Sequence, residues 1–576
     1  QFMNLGGANK DALAVISKGD EIVLYGQSGV EFSSKDYISI TGTSAKNIKV
    51  ASNGGDVEVR VNASDNVNAK VSVEHAQITS NGGDINVSLI NDVRDDVEID
   101  IKNSTLDATT SNVNNANGNV SLSASTVAEV LSWAQYGNSS TVNVTDDSVV
   151  KGDNVNVTAI ASVSGKVDSD VENNATDKEF EDSLKKVIDE DSTIIDDVYN
   201  LSGYDISELR SFVTVTNTEA KSIVNITDSD LEAVGGTKVV ESDKETAHGC
   251  INVYTEANSE IITTGIGLIN FSFTFGQSDA ISKININNSN LKANDDININ
   301  AYGKNKIDQS YLELSFLSGK VPGTIAFNWA DLNSDVGVTI NSNSDLNALG
   351  DVSIDSKSVR SLTNAPCAGG SINELGLSAA VTMADTKAIT DVQGDIYADG
   401  GISVSALNTL YKEDGENTYY EQDTSTAESY SGDSFLGKAF SGLAFKILPE
   451  LIITKVLKKK NSKINLKELP GKDKNFSLNA ATAVLITDSQ AQASVTGNVA
   501  GWEKEKANSL NVSAETISRV KVNAMAYQNA RTSADGSVSA QDDKTGALAI
   551  NVGFVENNAV AFVGGTNNET KTKDLN

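Results

Sequence analysis

Along most of this chain, apolar and small polar residues alternate with period two. The runs include Val57-Glu58-Val59, Ile85-Asn86-Val87, Val120-Ser121-Leu122-Ser123-Ala124 and Val155-Asn156-Val157-Thr158-Ala159. Later come Ile297-Asn298-Ile299-Asn300-Ala301, Val352-Ser353-Ile354, Ile402-Ser403-Val404-Ser405-Ala406 and Leu510-Asn511-Val512-Ser513-Ala514. This period places one face of each run against a core and one face outward, so each predicts a half-buried β-strand. Val and Ile suit that pleated surface, and clusters of Asn, Asp, Gly and Ser between the runs supply turn chemistry. Ser52-Asn53-Gly54-Gly55-Asp56 and Ser80-Asn81-Gly82-Gly83-Asp84 are turn signals of this kind.

A second phrase recurs: a strand-like triplet, then Asn or Asp, Ser, any residue and an aliphatic. It reads Ile99-Asp100-Ile101-Lys102-Asn103-Ser104-Thr105-Leu106, then Val224 to Leu231, then Ile284 to Leu291, and Val338 to Leu346 with one residue added. Weaker copies lie at Asp147-Ser148 and Asp488-Ser489. Self-similarity over most of 576 residues predicts stacked repeats, and short strands with few aromatics favour a β-solenoid over a propeller or sandwich. Anchor spacings of 35, 55 and 50 residues (Val120 to Val155, Ile297 to Val352, Val352 to Ile402) suggest two coils per long repeat. On that basis the chain winds into roughly 20 coils, a rod about 100 Å long. The four prolines, Pro322, Pro366, Pro449 and Pro470, stand outside the recurrent strands, as a missing N–H requires.

The Asn/Asp-Ser pair is expected at a bend, where Asn and Asp tolerate the left-handed backbone and stack into a ladder. A row of Ca²⁺ sites is the alternative and the one cofactor candidate; without a Gly-Gly-x-Gly-x-Asp nonapeptide, turn chemistry is the preferred reading and no cofactor is expected.

Two segments interrupt the period and divide the chain into N-terminal coils (1–165), central coils (212–410) and C-terminal coils (476–576). The first, 166–211, carries a capping box at Thr176-Asp177-Lys178-Glu179, followed by Phe180, Leu184, Val187, Ile188, Ile195 and Val198 at helical spacing. It predicts a helical insertion packed on the flank. The second, 411–475, begins as an acidic loop with Tyr411, Tyr419, Tyr420 and Tyr430. It continues through Phe435, Phe440, Phe445 and Leu451 to Leu457 into Lys458-Lys459-Lys460. It predicts an amphipathic helix buried against the protein, with partner contact or membrane contact through 435–460 as alternatives. Tyr419, Tyr420, Phe435, Phe440, Phe445, Lys458, Lys459 and Lys460 are the candidate contact residues.

Net charge is −33, which argues against unaided binding of nucleic acid or an anionic membrane. Cys250 and Cys367 exclude a disulfide framework, and at an expected separation of five coils they do not reach each other. His75 and His248 have no third metal ligand patterned around them, and no nucleophile elbow, Walker loop, Rossmann glycine set or zinc spacing occurs. Paired aspartates (Asp95-Asp96, Asp146-Asp147, Asp295-Asp296, Asp542-Asp543) raise the alternative of a polysaccharide-degrading enzyme. Neighbours in a strand point to opposite faces, however, which makes them poor dyads. No catalytic or metal-binding residue is expected.

The phrase Ala547 to Gly565, with Leu375-Gly376-Leu377-Ser378-Ala379-Ala380-Val381, Ala388-Ile389 and Ile402 to Ala406, resembles the repeats of large bacterial exoproteins. These are the filamentous-haemagglutinin-like adhesins and the leukotoxin-type exoproteins. The resemblance covers most of the chain outside the two interruptions. It implies a right-handed parallel β-helix, an extracellular or cell-surface location, and attachment to a glycan or protein receptor on host cells or bacteria. Further coils of one longer polypeptide are expected at both ends. A cytotoxin acting on host membranes is the alternative within the same resemblance.

Overall fold

A computed structural model describes the chain except Gln1, 44–45, 64–67, 93–94, 111–116, 131–133, 169–212, 237–238, 242–243, 247–248, 268–270, 315–323, 370–374, 414–418, 432–475, 503–505, 529–543, 565–568 and Asn576. All regular structure among the described residues is β. The chain visits three parallel sheets in turn and returns to the first, one rung further on. Sheet A runs from Met3–Gly6 to Thr572–Leu575, sheet B from Ala12–Ile16 to Lys544–Val563, and sheet C from Ile22–Gly26 to Val499–Ala500. This is a parallel β-helix. Two antiparallel pairs, Val239–Glu241 with Lys244–Thr246 and Lys412–Glu413 with Tyr419–Tyr420, decorate it.

The number of coils corrects the sequence reading. Sheet B holds 11 strands, so 576 residues make about eleven coils rather than twenty, and the stack rises about 50 Å. Each long repeat is one coil: Ile297 pairs directly with Val352, and Val352 directly with Ile402. The extra residues lengthen strands instead of adding turns. In sheet A the strand grows from 7 residues at Val57–Ala63 to 18 at Ile297–Leu314, and in sheet B from 6 at Ala69–Glu74 to 17 at Thr324–Ile340. Sheet C stays short, with four residues in Asn290–Ala293.

The widening creates two kinds of interior. Near sheet C, a continuous column of Val, Ile, Leu and Ala runs from Val30 to Val512. Beyond it, the long halves of sheets A and B face each other directly, and their inward positions turn small and polar. Thr255, Ser259, Ser278 and Ser282 are each at most 1% exposed. Their hydroxyls pair across the gap, Ser282 to Thr255 at 2.8 Å and Ser259 with Ser278 at 2.7 Å. Such pairing offsets the cost of burying a hydroxyl, a cost that Thr263, Ser334 and Ser358, which have no such partner, still carry.

The turn phrases behave as the sequence predicts. Asn103, Asp147, Asp228 and Asn288 take φ values of 44°, 59°, 50° and 48°, the left-handed region these residues tolerate. Serines following these residues turn inward and accept an N–H of the rung below, as Ser148 Oγ does from Ser104 N (3.2 Å) and Ser289 Oγ from Ser229 N (3.2 Å), and Ser344 Oγ takes Ser289 N in the same way (3.3 Å). A second ladder stands where the chain enters sheet A. There Asp56 accepts Asp84 N–H, Asp84 accepts Asn119 N–H, Asn154 accepts Cys250 N–H, and Asp296 accepts Asp351 N–H, at 2.7–2.9 Å.

Three further expectations need revision. Pro366 lies within the strand Val352–Gly369, beyond the short recurrent run that the sequence marked as strand. The neighbouring strand Asp423–Ser431 pairs on either side of it, at Asn364 and Cys367, and skips it, so the missing N–H breaks the ladder locally. Cys250 and Cys367 are not in a disulfide, yet they are two rungs apart, not five. Cys367 registers with Leu312 and through it with Ile266, while Cys250 precedes Ile251, so about 50 Å of strand separates them instead of stacked height. The second interruption begins later than 411, because Asp423–Ser431 is a strand of sheet A. The helices expected in 166–211 and in 435–460 lie outside the described residues, apart from the end of Val155–Asp168.

Candidate binding face and buried ion pair

The outward positions of sheet A's long strands carry the richest surface chemistry among the described residues. Alternation puts Tyr254, Glu256, Asn258 and Glu260 outside in Ile251–Gly267, and Tyr302, Lys304 and Lys306 outside in Ile297–Leu314. Register then stacks Glu256 beside Tyr302 and Lys357, and Glu260 beside Lys306 and Ser361. Tyr254 donates to Glu256 Oε2 at 2.6 Å, Asn258 donates to Glu256 Oε1 at 2.7 Å, and Lys306 pairs with Glu260 at 2.9 Å. Lys304 Nζ stands 4.7 Å from the Tyr411 ring centre, a cation–π contact. Ser361 donates to Glu421.

Burial, reinforced by Glu256, pushes the Tyr254 phenol well above its usual range, and burial does the same to Tyr302. Burial alone would lower Lys306; its hydrogen bond and charge contact with Glu260 leave it raised. The face therefore presents neutral phenols, a fixed pair of charges and ring edges at neutral pH. Such a surface can stack a sugar or side chain and hydrogen-bond its hydroxyls or amides. Sequence reading counted tyrosines only in 411–430; the signal for Tyr254 and Tyr302 was their outward phase within alternating runs.

Of the predicted contact residues, Tyr419 and Tyr420 fall in the antiparallel pair with Lys412–Glu413, two residues before Asp423–Ser431. Phe435, Phe440, Phe445, Lys458, Lys459 and Lys460 lie outside the described residues. No helix among the described residues is long and apolar enough to cross a membrane.

Inside the same coils sits Arg360, fully buried. Its Nε donates to Asp423 Oδ2 at 2.8 Å, its Nη1 to Thr386 (3.1 Å) and Asn408 (3.2 Å), and its Nη2 to Ser518 (3.1 Å). It fills the place where sheet A breaks: Gly401–Leu410 stops opposite Arg360, and Asp423–Ser431 resumes opposite Thr363. Burial raises the Asp423 carboxyl, and the Arg360 charge opposes that rise. With no exposed edge, the pair joins strands and meets no ligand. An arginine in phase with Val352 and Ile354 was its sequence signal.

The described aspartate pairs, Asp95-Asp96, Asp146-Asp147 and Asp295-Asp296, sit in turns, not strands. Asp146 and Asp147 both have positive φ, and Asp295-Asp296 precedes Ile297–Leu314. That turn lets Cys250, Asp295 and Asp296 bring one ligand atom each within 4.8 Å of one another. A sulfur donor is a poor partner for Ca²⁺, and Asp296 already accepts the Asp351 N–H in the corner ladder. Asp542-Asp543 and His248 lie outside the described residues; His75 occupies a left-handed position (φ 50°) immediately before Ala76, as Asn103 does before Ser104.

No family model, curated protein or solved structure matches this chain.

Proposed function

We propose that this chain is a non-catalytic rod section of a secreted or cell-surface bacterial adhesin, attaching to a glycan or protein receptor through its flank. The observation that carries the reading is the in-register parallel stack of similar coils. That form spans distance and presents an extended surface along its flank. The acidic exterior at net −33 suits a non-sticking stalk, and the resemblance of its repeats to those of the haemagglutinin-like exoproteins points the same way. The face around Tyr254, Tyr302 and Lys304 is the proposed contact surface, and no cofactor takes part.

A glycan and host-cell binding screen tests this, using the full chain, a Tyr254→Ala/Tyr302→Ala variant and a chain lacking 435–460. Saturable binding that falls at least tenfold in the tyrosine variant is expected. Turnover of a polysaccharide, or leakage of liposomes that disappears on deleting 435–460, would replace the reading with the enzyme or the cytotoxin.

A further inference from the structure

The outward face of sheet A carries two lysines whose charge nothing beside them cancels. Lys304 is half-buried in Ile297–Leu314, and Lys357 is exposed in Val352–Gly369. Lys306, two residues from Lys304, pairs with Glu260 at 2.9 Å. Among the described residues, no carboxylate stands at ion-pair distance from Lys304 or Lys357. Each rests instead on an aromatic ring: Lys304 Nζ lies 4.7 Å from the Tyr411 ring centre, and Lys357 Nζ 5.9 Å from that of Tyr302. A ring quadrupole steadies an ammonium without neutralising it, so both positive charges remain for another anion.

The carboxylates around the two lysines are already engaged. Glu256 accepts Tyr254 and Asn258, Glu260 takes Lys306 and Ser164, Asp355 accepts Ser353 and Ser405, and Glu421 accepts Ser361. Register sets Lys357 opposite Tyr302, so the Lys304 and Lys357 backbones are diagonal neighbours about 8 Å apart. Two flexible stems at that spacing can bring both ammoniums onto one carboxylate. The neighbouring phenols, Tyr254 and Tyr302, stay uncharged and offer hydroxyls and ring edges of the kind that hold a sugar. The chain leaves sheet A at Tyr411, so the antiparallel pair of Lys412–Glu413 and Tyr419–Tyr420 borders this patch.

Net charge limits how acidic the ligand can be. A polyanion would meet the field of the whole chain, at −33. A lone carboxylate in contact with two lysines responds mainly to those two, because physiological salt screens exposed charges beyond about 8 Å.

We propose that this patch binds a glycan terminus carrying one carboxylated sugar, with Lys304 and Lys357 on the carboxylate and Tyr254 and Tyr302 against the sugar. The inference rests on the adhesin reading's contact face and names the ligand class for it.

Calorimetry on the full chain in physiological salt tests it with two probes, sialyllactose and a glucuronate-terminated trisaccharide, each beside its uncharged methyl ester. At least one acid should bind saturably, and its ester at least tenfold more weakly. Lys304→Gln/Lys357→Gln should weaken the acid at least tenfold. The charge-neutral control Glu260→Gln/Lys306→Gln should change it less than threefold. An ester that binds as well as its acid, an unchanged affinity in Lys304→Gln/Lys357→Gln, failure of both acids to bind, or equal competition by poly-L-glutamate would overturn the inference. The adhesin reading is judged apart from it: host-cell binding that is lost in Tyr254→Ala/Tyr302→Ala but kept in Lys304→Gln/Lys357→Gln would sink the carboxylate and leave the contact face standing.

Discussion

In the coil built from Val57–Ala63, Ala69–Glu74 and Ala76–Asn81, the inward side chains are aliphatic until Ser80 at the corner. In the coil built on Ile251–Gly267 and Phe271–Asn287, the same alternation turns Thr255, Ala257, Ser259, Ser278, Ala280 and Ser282 inward. The backbone ladder is equally parallel in both. What differs is what closes the interior. Three sheets around a narrow prism leave no room for paired polar groups, so burial of Val and Ile stabilises the coil directly. Two sheets face to face can match hydroxyl against hydroxyl, and small residues let them approach. Each such pair contributes only about 0.5–1.5 kcal/mol net, but omitting one partner strands the other. The wide coils therefore rest more on their ladders and on mutual satisfaction than on apolar area.

The largest effect should come from the ion pair buried in the wide interior. Arg360→Ala leaves Asp423 buried and uncompensated, which costs about 3–5 kcal/mol. Hydrogen exchange should accelerate in Gly401–Leu410 and Asp423–Ser431, and Arg360→Leu/Asp423→Leu should regain most of the loss. A full cost persisting in the double variant would show that the network, not the lone charge, holds the break together.

Within the narrow prism, Ile99→Ala should cost about 2–5 kcal/mol, because neighbours in a close-packed prism cannot collapse into the gap. In the wide interior Thr218→Val should cost no more than about 1.5 kcal/mol, since Ser259 and Ser278 still bond each other. Urea unfolding of both variants tests the contrast, and equal costs would erase it.

The smallest effect is chemical. Burial, helped by Glu428, pushes the Cys367 thiol up to about 11 from a reference of 9.0. Its thiolate fraction below pH 9 is therefore reduced about a hundredfold relative to an unperturbed thiol. Alkylation by iodoacetamide should be slower by that factor and should rise about tenfold per pH unit from 8 to 10. A rate that levels off near pH 9 would contradict the burial of this edge.

The fold class was legible because alternation and the Asn-Ser phrase have direct backbone consequences. Asn103 and Asn288 need the left-handed bend, and Ser104 and Ser289 then turn inward, where their hydroxyls accept an N–H of the preceding rung, from Ala76 and Ser229. The coil count was not legible. After Ala301 the inward phase continues as Gly303, Asn305, Ile307 and Gln309, which looks like the end of a strand when only aliphatics are counted. The strand in fact runs to Leu314, and one coil absorbs what spacing alone assigned to two. The candidate face was hidden for a related reason: Tyr254, Glu256 and Tyr302 are scattered in sequence and meet only through register.

One pair of spin labels measures the coil count directly. Glu58, Asn86, Ser121, Asn156, Asn252, Asn298, Ser353 and Ser403 form a single outward column of sheet A, each paired with the next. Labels at Glu58→Cys and Ser403→Cys, in a Cys250→Ser/Cys367→Ser background, should therefore lie seven rungs apart, about 34 Å by pulsed dipolar spectroscopy. A distance beyond about 55 Å would mean that the long repeats wind twice and would contradict the account.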